Sequence, residues 1–390
     1  MNNHKKSVAV VHNILWSSYK GEVFTKLHSL VRKNYYRTNI YFFQIAETDD
    51  QRTSLRGVEL SHHKYPYKLI ISGDYKSVNA FYRSWKLLKA VSDKKPDALI
   101  IPGYYEIDYW ILLIYCKFTG KQAGVFCDST LHDKPKSNWF KRLAKRYFLS
   151  QMQIVLTYGK RSELYAVSCG AKPDAIIHRC QAAALPEQYS PERSLLLRSP
   201  SITPRYLYVG RLAIEKNIDA MLYAFQKVHT ELSDAELIIV GTGPEEPRLR
   251  SMVADLNLSA SVKFSGALRG KDLFDQYSNA TCLVLPSKSE PWGLVVNESL
   301  HYGCPVIVSE YCGCVPELVV HGETGYVFNP DDSAELAKRM LDILDWSNSK
   351  STALRCISLM EDYTPEHAAQ SIYEGIKRLL KMGEPDKKHA

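Results

Sequence analysis

Short apolar runs alternate with longer amphipathic stretches along the whole chain. In the first half, Ser7–Val11 and Asn39–Phe43 read as strands, with a helix over Phe24–Tyr35 between them. Val78–Val91 has helical periodicity, Ala98–Ile101 is a short buried strand, and the apolar run Tyr109–Cys116 marks the next helix. The strand Ala123–Cys127, a basic and aromatic helix over Ser137–Ser150, and the strand Ile154–Leu156 follow. The rhythm lapses between about Ala184 and Ser201, where Pro186, Pro191, Pro200 and several serines suggest a linker. It restarts with strand Arg205–Val209, helix Ile218–His229, strand Glu236–Val240 and helix Pro247–Asp255. Strands at Val262–Phe264, Thr281–Leu285 and Pro305–Val308 come next, and Pro365–Lys381 reads as an amphipathic helix. Strand and helix in alternation imply an α/β class, here as two successive units of similar size.

At 390 residues the chain has room for two domains of roughly 100–200 residues each. Its 45% hydrophobic and 24% charged content is that of an ordinary globular protein, which excludes a disordered or membrane-embedded class. Nine cysteines, an odd number with no C-x-x-C pair, argue against a disulfide framework or zinc ribbon and for a reducing, cytoplasmic compartment. Val8–Val11 is too short for a signal-peptide core. Tyr109–Cys116 falls well under the roughly 20 residues that span a bilayer, so it is expected as a buried helix. Charge changes the picture more. Residues 1–190 hold 29 Lys and Arg against 15 Asp and Glu, a net of +14, while the remainder holds 21 against 27, a net of −6. The first half should therefore meet something anionic. No nucleic-acid-binding motif accompanies the charge, which favours the anionic inner face of a membrane.

The chemistry is concentrated in Ser289-Glu290-Pro291-Trp292-Gly293-Leu294-Val295-Val296-Asn297-Glu298, between two apolar strands. The pattern predicts strand, loop, short helix, strand, with Glu290 in the loop and Glu298 inside the helix. Ligands of open parallel sheets bind at the carboxyl ends of strands, so both acids are candidates for accepting hydroxyls of a polyol. The backbone amides at Gly293 and Leu294 would open the helix and suit a phosphate. A second cluster, Val209-Gly210-Arg211 followed by Glu215-Lys216, puts two cations at a strand end, where a departing diphosphate would need them; a solvated helix start is the alternative. Val240-Gly241-Thr242-Gly243-Pro244 is not a dinucleotide fingerprint, because Glu246 stands where the third glycine belongs, and a tight structural turn remains open for its glycines. The helix over Ser137–Ser150 segregates Trp139, Phe140, Leu143, Tyr147 and Phe148 from Lys141, Arg142, Lys145 and Arg146. It either lies on an anionic membrane or packs on its own sheet with a solvated basic face.

Together these motifs resemble the E-x7-E signature and Gly-Arg…Glu-Lys segment of family-4 (group 1) glycosyltransferases, retaining nucleotide-sugar enzymes of the GT-B fold. The resemblance covers about 200–345 in sequence and the first half in its strand–helix rhythm. It implies two Rossmann-like domains facing across a cleft: an acceptor-binding domain over 1–190, a donor-binding domain over 201–365, and a C-terminal helix within 366–390 crossing back to the first. It implies that Glu298 holds the donor ribose, that Glu290 holds the hydroxyls of the transferred sugar, and that Arg211, Lys216 and the amides near Gly293 and Leu294 stabilise the diphosphate. Gly266 and Leu268, after the strand at Val262, would hold the base. Asp128, or alternatively His132, would approach the acceptor. Cys312–Val319, with Cys312 in place of the first glycine of the family's usual pair, and Gly322–Val327 resemble structural turns of the family. The first half departs from the family: the loop Asn13–Gly21 has a single glycine where relatives have a pair, and Gln181–Ala184 replaces the usual Asn-Gly-Val-Asp. The expected activity is transfer from a UDP- or GDP-sugar to a hydroxyl of a glycan or lipid-linked sugar in surface polysaccharide or glycolipid synthesis. No metal and no cofactor beyond the nucleotide sugar is expected, nor is nucleic acid a partner. The alternatives are a sugar-nucleotide-binding regulator without turnover, or a GT-B phosphorylase or epimerase.

Overall fold

The computed structural model describes residues 5–33, 38–49, 58–132, 139–199 and 202–382. The chain divides into two compact units, one of Met1–Ser129, Pro135–Ala184 and Thr364–Ala390, the other of Thr130–Lys134 and Leu185–Tyr363.

The first unit is built on strands β1 (Lys6–Ile14), β2 (Thr38–Ala46), β3 (Tyr67–Leu69), β4 (Ala98–Ile101), β5 (Gln122–Cys127), β6 (Ile154–Thr157) and β7 (Ile176–Ile177). They form one parallel sheet in the order β3-β2-β1-β4-β5-β6-β7. Its helices are α1 (Ser18–Lys33), α2 (Ala80–Ser92), α3 (Ile107–Thr119), α4 (Trp139–Ser150) and α5 (Lys160–Ser168). Side chains of α2 to α5 make a core on one face of the sheet with Val11, Phe43, Leu99 and Val125. The opposite face carries α1 and the last helix of the chain (Pro365–Leu379), packed on Val8, Val10, Ile100 and Leu156. Strands buried on both faces read as continuous apolar runs, which is why β1, β2, β4, β5 and β6 were legible; β3 and β7, of three and two residues, were not read.

α1 starts earlier than periodicity predicts. The stretch up to Gly21, expected as a loop, is helical from Ser18, with the amides of Lys20 and Gly21 donating to the Ser17 carbonyl. Gly21 is needed there because a Cβ would lie 2.8 Å from the His63 ring. The Tyr35 end of the expected helix and the Ser137–Asn138 start of the basic helix lie outside the described residues. α3 is the expected buried helix in its inner face, and among the described residues no helix is long and apolar enough to cross a membrane. All nine cysteines are free, eight of them buried.

The second unit opens with a helix that the linker reading missed, α6 (Pro191–Leu197). Ser190 and Pro191, which look like linker residues, are its start: the Ser190 hydroxyl accepts from the Arg193 amide at 3.1 Å, and proline suits the first helical turn. Strands β8 (Arg205–Val209), β9 (Glu236–Val240), β10 (Val262–Gly266), β11 (Cys282–Leu285), β12 (Val306–Ser309) and β13 (Gly325–Phe328) form a second parallel sheet, ordered β10-β9-β8-β11-β12-β13. Between and after them lie α7 (Ile218–Glu231), α8 (Glu246–Asp255), α9 (Gly270–Asn279), α10 (Leu294–His301), α11 (Val315–Leu318), α12 (Ser333–Asp342) and α13 (Lys350–Leu359). The last helix among the described residues is α14 (Pro365–Leu379), which belongs to the first unit. The strand order reverses between β1 and β4 in one unit and between β8 and β11 in the other. In such sheets the crevice at the carboxyl ends beside that reversal is where ligands bind.

Candidate functional site

Arg211 and Lys216 follow β8, and Glu290 follows β11, so the second unit's reversal point gathers three of the predicted residues. The turn Ile214–Lys216 ends at Asn217, which takes a left-handed φ of 55°. The Asn217 side-chain amide ties this turn to the carbonyls of Pro286 (3.2 Å) and Pro330 (2.8 Å). The two loops are joined again by the Lys288 amide, which donates to the Glu215 carbonyl at 2.9 Å. Held this way, Lys216 Nζ meets Glu290 Oε2 at 2.6 Å, with both side chains largely buried. Burial pulls the Lys216 pKa down, but the Glu290 carboxylate outweighs it and raises it above the ordinary value. Arg211 pairs with Glu215, and the buried Tyr208 hydroxyl donates to the Arg211 carbonyl at 3.0 Å. Burial works to raise the Glu215 carboxyl, yet hydrogen bonding and Arg211 hold it below the ordinary value.

The Glu290 loop is braced from beneath. The Gly313 amide donates to the Glu290 carbonyl (2.9 Å) and the Cys314 amide to that of Trp292 (3.1 Å). Gly313 lies so close that a Cβ there would come within 1.8 Å of the Pro291 carbonyl oxygen. Trp292 is buried, its indole N–H donating to Asn297 at 2.8 Å. Gly293 then turns the chain with φ 98° and caps α10, whose first residue is Leu294. The Val296 amide donates to the Gly293 carbonyl at 2.9 Å, while the amides of Gly293 and Leu294 precede the first intrahelical bond at the positive end of the helix dipole, an arrangement suited to phosphate.

Glu298 lies on α10, as expected, but its partner is different: the Tyr277 hydroxyl of α9 donates to its Oε2 at 2.7 Å. Burial pushes the Glu298 carboxyl up to about 7, against the Tyr277 hydrogen bond, which favours the ionised form. The two acids therefore stand at opposite ends of one short segment, one held by a cation and the other by a phenol. Gly266 ends β10 with φ 66°, and its carbonyl accepts from the Gly241 amide at 2.7 Å. Leu268 is half-buried between β10 and α9. The glycine turn is structural: a Cβ on Gly241 would sit 1.9 Å from the Gly210 carbonyl oxygen, and one on Gly243 would sit 2.2 Å from that of Leu212. These glycines let the β9 loop pack on the loop that carries Arg211.

The two acceptor-side candidates separate. Asp128 is exposed immediately after β5 in the first unit. His132 clusters with the second, where its ring stacks on Tyr311 with centroids 4.8 Å apart and planes 10° from parallel. Around Asp128 the structure adds a residue that periodicity did not single out. Lys20, on α1, is buried; its ammonium donates to the Cys180 carbonyl at 3.2 Å and lies over the rings of Phe126 and Tyr158 at 4.4 and 4.9 Å. Burial lowers its pKa to about 8 against the opposing charges of Cys180 and Asp128. Its one sequence signal is a place beside Gly21 in the stretch that follows β1.

Residues 197–356 match the family model for glycosyl transferases group 1. An uncharacterized glycosyltransferase of Methanocaldococcus jannaschii is 32% identical over 171 residues, 43% of this chain and 40% of that protein. A glycogen synthase of Mycobacterium tuberculosis is 29% identical over 194 residues, 48% of this chain and 47% of that one. The chain thus spans less than half the length of these curated relatives. Among solved structures, sucrose-phosphate synthase from Thermosynechococcus elongatus superimposes with a TM-score of 0.75 at 18% identity, covering 97% of this chain and all of that one. Anabaena HepE in complex with UDP-glucose gives 0.72 at 16% identity, covering 95% and 99%. The lipopolysaccharide outer core galactosyltransferase WaaB gives 0.70 at 15% identity over the same shares. The fold is GT-B, an α/β architecture of two Rossmann-like sheets with a C-terminal helix.

Proposed function

We propose, from the premise that residues 197–356 belong to the glycosyl transferases group 1 family, that the chain moves a sugar from a nucleoside-diphosphate donor to a hydroxyl acceptor with retention of configuration. The observation that carries this is the Lys216–Glu290 pair, at 2.6 Å, where the strand order reverses and beside the amino end of α10. A donor laid there would put its diphosphate between Lys216, Arg211 and the amides of Gly293 and Leu294. Glu290, fixed by Lys216, would accept hydroxyls of the transferred sugar, and Glu298 those of the ribose. The base would rest on the backbone at Gly266 and Leu268.

In the reaction the bond from the anomeric carbon to the diphosphate oxygen breaks, and the electron pair leaves with the diphosphate. The acceptor oxygen bonds to that carbon, and its proton passes to the departing phosphate. The negative charge that grows on the diphosphate meets Lys216 and Arg211, so the cations do the work that a metal does elsewhere. The complex of HepE with UDP-glucose supports counting UDP-sugars among the donors. GDP-sugars share the diphosphate chemistry. A glycan or lipid-linked sugar is the proposed acceptor.

The test is release of nucleoside diphosphate from a panel of UDP- and GDP-sugars, with the product anomer read by NMR. Lys216→Ala and Glu290→Ala should lower turnover by roughly 10²–10³, and the product should keep the donor's configuration. Tight donor binding with no release under any acceptor would instead mark a regulator.

A further inference from the structure

We infer that α2, α3 and α4 form one face that docks on an anionic lipid bilayer. The three helices lie side by side over the same side of the first sheet. α2 is clamped to α3 by a buried cluster in which Arg83 pairs with Asp108 at 2.8 Å, with Ser84 and Tyr75 bonded to the same carboxylate. α3 is joined to α4 by Trp110, whose ring stacks on Tyr147 with planes 8° from parallel. Each helix then turns large apolar side chains outward. On α2 these are Phe81 (69% exposed), Tyr82 and Trp85; on α3, Ile114 and Phe118 (88%); on α4, Trp139, Phe140 (63%), Leu143 and Tyr147. Of the five apolar residues that the α4 pattern predicted for one face, only Phe148 is buried. The helix therefore does not pack its aromatic face on the sheet. Exposed apolar surface on this scale in a folded unit marks an interaction site.

Charge selects the occupant. The three helices carry Arg83, Lys86, Lys89, Lys117, Lys141, Arg142, Lys145 and Arg146 but a single carboxylate, Asp108, which is buried against Arg83. The outward surface is thus basic and aromatic with no acid among its helical residues. Lys86 and Lys89 lie over the rings of Tyr82 and Trp85 at 4.9 and 5.5 Å. Tryptophan and tyrosine interleaved with lysine are suited to the boundary between headgroups and acyl chains, where rings sink and ammonium groups meet lipid phosphates. Contact at α2 as well as at α4 makes this a footprint shared by three helices rather than one inserted helix. The inference stands on its own and holds whether or not the transfer reading does.

Full-length protein is sedimented with vesicles of phosphatidylglycerol and phosphatidylcholine in equal parts, and with phosphatidylcholine alone, at low and high salt. The wild type should bind the anionic vesicles and release at high salt. Phe81→Ser/Trp85→Ser and Trp139→Ser/Phe140→Ser should each weaken binding roughly tenfold, with thermal melts like the wild type. Because serine variants can fold poorly, Trp85→Phe and Trp139→Phe are also compared by tryptophan quenching with brominated lipid, and each should lose part of the signal. Failure of the wild type to bind anionic vesicles overturns the proposal, as does wild-type binding by the α2 pair. Salt-sensitive binding without quenching also overturns it, and indicates a patch for some other polyanion.

Discussion

Glu298, with a carboxyl raised to about 7, changes charge in the middle of the physiological range. As a carboxylate it can only accept hydrogen bonds, which is what ribose hydroxyls need; protonated, it loses one acceptor. Donor affinity should therefore rise as pH increases through about 7, and Glu298→Gln should bind more weakly with a flat profile; calorimetric titration of UDP-glucose at pH 6, 7 and 8 measures this. The sign for stability is opposite. The folded value lies above the ordinary 4.5, so folding favours the neutral form, and stability from this group falls as pH climbs from about 4.5 to 7. Denaturant melts of wild type and Glu298→Gln should converge below that range and diverge above it. Glu290 and Glu298 could be singled out from spacing alone because strand, glycine and helix punctuate the segment around them. Lys20 could not, since its position under Phe126 and Tyr158 depends on strands more than 100 residues away in the chain. The roles of Tyr277 and Glu215 as partners were hidden for the same reason: a phenol or acid on a helix has no periodic signature for what it will touch.

Among the elements, the loops are held to one another by backbone more than by side chains. Gly313→Ala would drive a methyl into the Pro291 carbonyl, so the Glu290 loop must move. We expect a loss of about 1–3 kcal/mol in stability together with weakened donor binding. Gly322→Ala is the comparison: it has open space around it but φ 73°, so it should cost roughly 1–2 kcal/mol and leave donor binding unchanged. Thermal melts with and without UDP-glucose separate the two. Legibility at this scale followed burial. β8 and β9 match their expected bounds because they are apolar after their first residues, Arg205 and Glu236, whereas α6 and α9 went unread. α6 has only seven residues, with Leu196 and Leu197 exposed, and α9 opens on glycine and keeps only Tyr277 and Ser278 buried, too few for a periodic stripe.

For the molecule as a whole, the decisive element is α14. Ile372, Tyr373, Ile376 and Leu379 are buried against the first sheet and α1. At about 1.5–3 kcal/mol for each large side chain, they contribute on the order of 6–12 kcal/mol, comparable with the roughly 5–15 kcal/mol that holds a domain together. A chain ending at Tyr363 should therefore lose the cooperative melt of its first unit, expose apolar surface to a hydrophobic dye, and regain order when residues 364–382 are co-expressed. The amphipathic pattern of Pro365–Lys381 announced a helix; which sheet it would cover came only from the family resemblance.

That arrangement also sets a timetable for birth at the ribosome. Residues up to Ala184 emerge first, yet the face they present to α14 stays bare until nearly 200 further residues have been made. At about 5–20 residues per second this is a wait of roughly 10–40 s, in which the second unit can complete its own core while the first cannot. The first unit thus cannot bury this face until every residue of the second has been made.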